Sequence, residues 1–192
     1  MSSLANNFEL QAQILGGFIL LIWALEIIDQ LLFRHRLNRF GIIPRTSIGL
    51  RGVLFAPLLH GTWNHLIANT VPLAVLGWLT MLGGSADFAI ATAVIWLVSG
   101  LGVWLFGASN SLHIGASGII FGYFGFLLSR SYFEQDFFSA AIAALVVLLY
   151  GPLIWGILPS HRGISWQGHL FGLIGGILTA RYLPELRQWF AA

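Results

Sequence analysis

Polar positions break the chain into six mainly apolar runs, at about residues 10–33, 65–82, 88–106, 115–129, 137–158 and 168–183. A helix rising ~1.5 Å per residue needs about 20 mostly apolar residues to cross a bilayer. The pattern therefore predicts an all-α, polytopic membrane protein with six spans. Gly83 and Gly84 close the second run, and Pro184 is expected to end the sixth. The connections are short except for about residues 34–59, which carry arginines and are broken by Pro44 and Pro57. Residues 1–192 then form a single membrane domain, with no room for a soluble one. Residues 1–9 carry no positive charge, and the first run exceeds the ~7–15 apolar residues of a signal peptide. It is expected to remain as a span.

Composition agrees with this pattern. Hydrophobic residues make up 57% of the chain and charged residues 8%, against about 25% charged in soluble domains, and mean hydropathy is +0.84. Abundant apolar residues and a net charge of only +2 exclude disorder. The nine basic residues are all arginines scattered among apolar runs, not the dense patch that nucleic acid requires. Cysteine is absent, which removes disulfides, thiolate nucleophiles and Cys-ligated zinc.

Two runs are marked by glycine. Gly115, Gly118, Gly122 and Gly125 recur along the fourth run, and Gly168, Gly172 and Gly176 along the sixth. Small residues at this spacing let helix backbones approach closely in lipid, and packing alone would explain them. The polar residues on those faces decide whether there is more. Ser117 lies on the fourth run and His169 on the sixth, while His65 and Asn69 share a face of the second and His60 lies just before it. Polar groups at membrane depth are costly and tend to be functional. A serine hydroxyl becomes a nucleophile when a neighbouring histidine accepts its proton. The Asn69 amide and a His65 ring N–H are candidate donors to an oxyanion.

Each residue also has a plainer use. Ser117 fits a helix N-cap, His169 a packing histidine, and His65 with Asn69 an interhelical hydrogen-bond pair. His60, His65, His113 and His169 would be the ligands of a metal site, but no HExxH motif occurs and no carboxylate stands beside them. No metal or cofactor is expected. Taken together on separate spans, the set favours chemistry over packing.

The combination resembles the rhomboid family of intramembrane serine proteases. The matching elements are His60-Gly61-Thr62-Trp63-Asn64-His65-Leu66-Ile67-Ala68-Asn69, then Gly115-Ala116-Ser117-Gly118, then Gly168-His169-Leu170-Phe171-Gly172. They follow the family's HxxxxHxxxN, GxSG and GHxxG order on the second, fourth and sixth of six core helices. The resemblance implies a six-helix bundle with Ser117 as nucleophile and His169 as its general base. It places His65, Asn69 and the Ser117 backbone N–H in an oxyanion hole. Gly115 keeps the approach to Ser117 open, Gly118 belongs to the same motif, and Phe121 stacks on His169 where many members have tyrosine. His60 supports the site.

The implied activity is hydrolysis of peptide bonds within or beside transmembrane segments of other proteins, by a Ser–His dyad without cofactor. The implied setting is a multi-pass protein of the plasma or inner membrane whose partners are transmembrane substrates and lipid. The fifth span, with no glycine over residues 140–150, is the implied gate. The rival reading is an inactive rhomboid-like protein that binds membrane partners or serves quality control, yet such proteins typically lack the serine or the histidine. Oligomeric state is not encoded in these patterns.

The chain departs from the family in its first loop, which reads Gly49-Leu50-Arg51-Gly52-Val53 and lacks the common Trp-Arg pair. That loop carries Arg34, Arg36, Arg39, Arg45 and Arg51, so the positive-inside rule votes against the family orientation, in which the loop is extracytoplasmic. The family orientation is preferred, because its first loop is a structured, membrane-dipped element. Glu26 and Asp29 are expected to bond Arg34 or Arg51. Trp155, Trp166 and Trp189 read as interface anchors, and His113 and His161 receive no role.

Overall fold

The computed structural model describes residues 2–159 and 165–191, so His161 lies outside the described residues. The apolar runs become helices because a helix satisfies every backbone polar group within one segment. Helix α1 (Ser2–Ile28) turns into a π-helical segment, Asp29–Phe33, ended by Arg34 and His35 in left-handed conformation. Two short helices in the first loop, α2 (Ser47–Leu50) and α3 (Gly52–Phe55), precede α4 (Trp63–Met81). The remaining helices are α5 (Ser85–Phe106), α6 (Ser117–Glu134), α7 (Phe137–Tyr150) and α8 (Trp166–Ala191). A 3-10 segment, Gly151–Ile157, continues α7. Among the described residues there is no strand, only an isolated antiparallel bridge between Ile42 and His113. Three helical stretches, Phe8–Phe33, Ser85–Phe106 and Phe137–Ile157, are long and apolar enough to cross a membrane.

The centre of the bundle is α6, whose residues from Ile119 to Leu127 are all buried. A helix apolar on every side must be surrounded by others. Its tightest neighbour is α8. A Cβ at Gly172 would land on the Gly118 carbonyl oxygen, and one at Gly176 on that of Gly122. The α6–α8 approach therefore requires glycine at both places. Leu15 and Ile22 turn one face of α1 inward, while Leu20 on another face, and Leu31 and Leu32 in the π-helical segment, are more than two-thirds exposed.

The first loop is stitched to the rest largely by its backbone. Ile42 and His113 exchange N–H···O bonds of 2.9 and 3.0 Å, and Gly115 N–H donates to Ala56 O at 2.8 Å. Arg45 donates to the carbonyls of Leu105 and Gly107 and to Ser109 Oγ. At the other end of α5, buried Asp87 receives Arg187 through two bonds of 2.7 and 2.6 Å. Arg130 lies 3.7 Å from Asp87 and 2.7 Å from Glu134, which accepts a bond from Ser139 Oγ.

Three sequence expectations need correction, and a fourth, at Pro184, holds. Gly115 is not on the fourth helix: it precedes α6 with φ +112° and shapes the approach to Ser117. Pro184 stands where the sixth run is expected to end: the backbone leaves helical geometry at Tyr182, and a second helical stretch runs on across that kink to Ala191. The fifth run is α-helical only to Tyr150, where Gly151 and Pro152 begin the 3-10 segment. Glu26 and Asp29 form no ion pair with Arg34 or Arg51. Instead Glu26 accepts from Gln30, one turn on, and Asp29 accepts the Leu37 N–H at 2.8 Å.

Candidate active site

Ser117 is the first residue of α6. The opening N–H groups of a helix have no intrahelical partner, and the aligned peptide dipoles make that end positive. Ala116 stands at the N-cap and offers no side-chain acceptor. Thus Ser117 is not the cap itself, and its hydroxyl is free to face the neighbouring helix.

His169 lies in the first turn of α8, and its Nε2 is 2.9 Å from Ser117 Oγ. Its Nδ1 is 2.9 Å from the Gly156 carbonyl oxygen. A carbonyl only accepts, so Nδ1 carries the proton and Nε2 presents its lone pair to the serine. The ring is also fixed in plane: Phe121, one turn after Ser117, stacks on it at 4.0 Å with 4° between the planes. Gly156 must be glycine for this contact, since a Cβ there would lie 2.5 Å from Phe121 Cζ and 3.3 Å from His169 Nδ1.

The residues of α4 form the other wall. Thr62 caps that helix by accepting the His65 N–H at 3.2 Å. His65 faces Gly115, where a Cβ would lie 2.6 Å from the ring. Asn69 does not bond His65; its Nδ2 donates to His60 Nε2 at 3.1 Å. Burial foremost, and then the proximity of His65, push the His60 imidazole down to about 3. His60 is therefore neutral and able to accept. One amide hydrogen of Asn69 is held there, and the second remains for the cavity.

Ser117, His169, His65, Asn69 and Phe121 line one cavity of about 880 Å³. Gly118 packs behind the serine, close to Ser99 and the Gly168 carbonyl, and His60 supports Asn69 from the core. All eight residues singled out from sequence are thus brought to one place. Among the described residues, no three His, Asp or Glu side chains gather as a metal-binding group.

Two features were not foreseen. The Gly156 carbonyl is a peptide group, and residue type carries no signal for it. The other is His113, whose Nδ1 lies 2.7 Å from Ser165 Oγ and whose Nε2 lies 2.7 Å from Ser111 Oγ. Burial holds this imidazole below its ordinary range. His113 precedes Ser117 by four residues as Ser165 precedes His169, so this pair braces the same two segments one step earlier. That equal spacing was readable in the sequence.

Comparison with known proteins adds to this geometry. Residues 49–185 match the Rhomboid domain. An uncharacterised protein of Mycobacterium tuberculosis is 46% identical over 178 residues, covering 88% of this chain and 74% of that protein. YdcA of Bacillus subtilis, provisionally named a rhomboid protease, is 30% identical over 126 residues, 64% of this chain and 62% of its own. Rhomboid-type serine protease 2 of Yarrowia lipolytica is 28% identical over 148 residues, 70% of this chain and 48% of its own.

Proposed function

Since the chain belongs to the rhomboid family, we propose that it is an intramembrane serine endopeptidase with Ser117 as nucleophile and His169 as general base. The observation that carries the reading is the 2.9 Å Ser117–His169 contact, with the opposite ring nitrogen committed to Gly156 O. Nε2 takes the hydroxyl proton as Oγ attacks the substrate carbonyl. The resulting oxyanion is met by the Ser117 N–H, the free hydrogen of Asn69 Nδ2 and His65. Nε2–H then protonates the leaving amine, and the carbonyl collapses to an ester on Ser117. A water, deprotonated at Nε2, attacks that ester, and Nε2–H returns the proton to Ser117 Oγ as the new carboxyl end leaves. Gly156 O keeps Nδ1 protonated throughout and stabilises the imidazolium, as a carboxylate does in a triad.

In this reading α4, α6 and α8 join the three long apolar stretches as spans, making a six-helix domain of the plasma or inner membrane. Substrates are transmembrane segments that arrive sideways from lipid and unwind to present an amide. Segments with Gly, Pro or polar residues at the cleavage level, and a small side chain before the scissile bond, suit this requirement. Helix α7 is the proposed gate, because most of its length faces outward. The alternative, an inactive binding or quality-control factor, leaves the oriented Nε2 lone pair without a purpose.

The test is cleavage of a single-span reporter in detergent. Ser117→Ala and His169→Ala should each lower the rate by about 10³-fold or more, and the double variant should be no worse. Asn69→Ala should retain measurable activity, about 10- to 1000-fold down. A fluorophosphonate should label the wild-type protein once, at Ser117. Full cleavage by Ser117→Ala, or no cleavage by a folded wild-type protein across several reporters, would overturn the reading.

A further inference from the structure

Among the described residues, every ion pair lies at the far end of the bundle, where Asp87 and Glu134 meet Arg130 and Arg187. The first loop is the reverse. Arg34, Arg36 and Arg39 are exposed and Arg51 is half-buried, and none has a carboxylate within 4.0 Å among the described residues. Arg45 is already committed to the α5–α6 connection. The local acid, Asp29, accepts the Leu37 N–H and pairs with no arginine.

Within this loop two guanidinium groups share one aromatic ring. Arg39 Cζ lies 5.1 Å and Arg51 Cζ 4.5 Å from the centre of Phe40. Cation–π attraction holds each there, so two positive charges gather at one ring with no carboxylate of the described residues beside them. Their donors are mostly free. Arg51 spends Nη2 on the Arg39 carbonyl at 3.2 Å, and its buried Nε bonds nothing among the described residues. The Phe40 ring meets Phe55 edge-on at 6.1 Å. Beside it the same loop exposes Leu50, Leu54 and Phe55 by 43%, 58% and 44%.

The combination of forked donors on an aromatic plate and bare apolar surface asks for a ligand of two parts. A free phosphate would satisfy the arginines and make no use of the apolar residues beside them. A neutral lipid would cover those residues and leave the charges unmatched. We propose that the first loop binds one anionic phospholipid, with its phosphodiester between Arg39 and Arg51 and its acyl chains along Leu50, Leu54 and Phe55. Guanidinium forks match phosphate oxygens in pairs. Such a lipid also gives the loop arginines a use on the side where the positive-inside rule does not expect them. The proposal rests on the membrane placement above and not on the dyad.

The experiment counts lipids retained by the purified full chain after delipidation and exposure to phosphatidylglycerol or phosphatidylcholine, read by native mass spectrometry. The wild-type chain should keep one phosphatidylglycerol in preference to phosphatidylcholine by at least about tenfold. R39Q/R51Q should lose most of that preference, and R34Q/R36Q, whose side chains have no such seat, less than half. R39K/R51K keeps the charge without the fork and should fall between, which also serves if the glutamine pair fails to fold. Lipid binding is measured without substrate, so inactive protein that still selects phosphatidylglycerol separates this proposal from the protease reading. Equal retention of the two lipids by the wild type would overturn it. So would unchanged selection in both Arg39/Arg51 variants, or displacement of the lipid by millimolar inorganic phosphate.

Discussion

Gly156 brings only a peptide group to the cavity, yet the tautomer of His169 depends on it. A methyl at this position would press on Phe121 Cζ and His169 Nδ1, and one of the two rings must tilt. Misplacing a reacting group by about 1 Å can cost 100-fold, so Gly156→Ala should lower kcat by roughly 10- to 100-fold. Its Tm should barely move, because the segment around it is half exposed. Adding Phe121→Leu should recover part of the loss by making room, whereas Phe121→Leu alone should be only mildly impaired. Single-turnover cleavage per folded molecule is the measurement. That Ser117, His169, His65 and Asn69 meet at one cavity was legible in the sequence, because side-chain type and fixed spacing carry that signal. The partner of Nδ1 was not, since any residue has a carbonyl. The acids of α1 misled for a related reason: Glu26 and Asp29 suggested arginine partners, but a glutamine one turn away and a backbone N–H were nearer.

At the scale of elements, the meeting of α6 and α8 fixes how far the serine stands from the histidine. The glycine stripes on these helices announced a close approach, and the bundle uses them in that way. What spacing could not tell was which glycines touch backbone. Gly172 rests on the Gly118 carbonyl, while Gly16 and Gly17 on α1 have nothing within 4 Å of an added Cβ. Gly172→Ala should therefore overpack the seam at a cost of ~1–3 kcal/mol, lowering Tm by roughly 2–4 °C per kcal/mol. It should also slow cleavage, because the two helices carrying the dyad must separate. Gly16→Ala should leave both quantities unchanged or raise Tm slightly, since alanine favours helix. Thermal melts of the pair in one detergent give the contrast directly. Pro184 follows its local rule: helical geometry stops at Tyr182, two residues before it, and a second helical stretch carries Arg187 to Asp87.

Taken whole, the molecule separates its polar tasks. The dyad cavity lies where α6 and α8 begin, and the ion pairs lie where they end. Asp87 pairs with a residue a hundred positions away, which no local pattern could reveal. Removing one partner of a buried pair costs about 3–5 kcal/mol, and Arg187 is half exposed, with 47% of its side chain accessible, so solvent screening reduces the figure. Asp87→Asn should then cost up to about 3 kcal/mol, and Arg187→Gln less. Neither should alter cleavage per folded molecule, because Arg187 lies roughly 27 Å along α8 from His169 at ~1.5 Å per residue, beyond the Tyr182 break. A melt combined with an active-site-titrated rate checks both halves.

The stitches holding the first loop to the approach of Ser117 have a different consequence. Ile42 with His113, and Ala56 with Gly115, are joined through main-chain atoms alone. Replacing the side chain of Ile42 leaves those bonds available, so an alanine there reads the packing of a buried side chain and not the main-chain seam beside it. The same seam can persist while Ile42 and Ala56 drift to other residues, so long as glycine stays at 115, where φ is +112°.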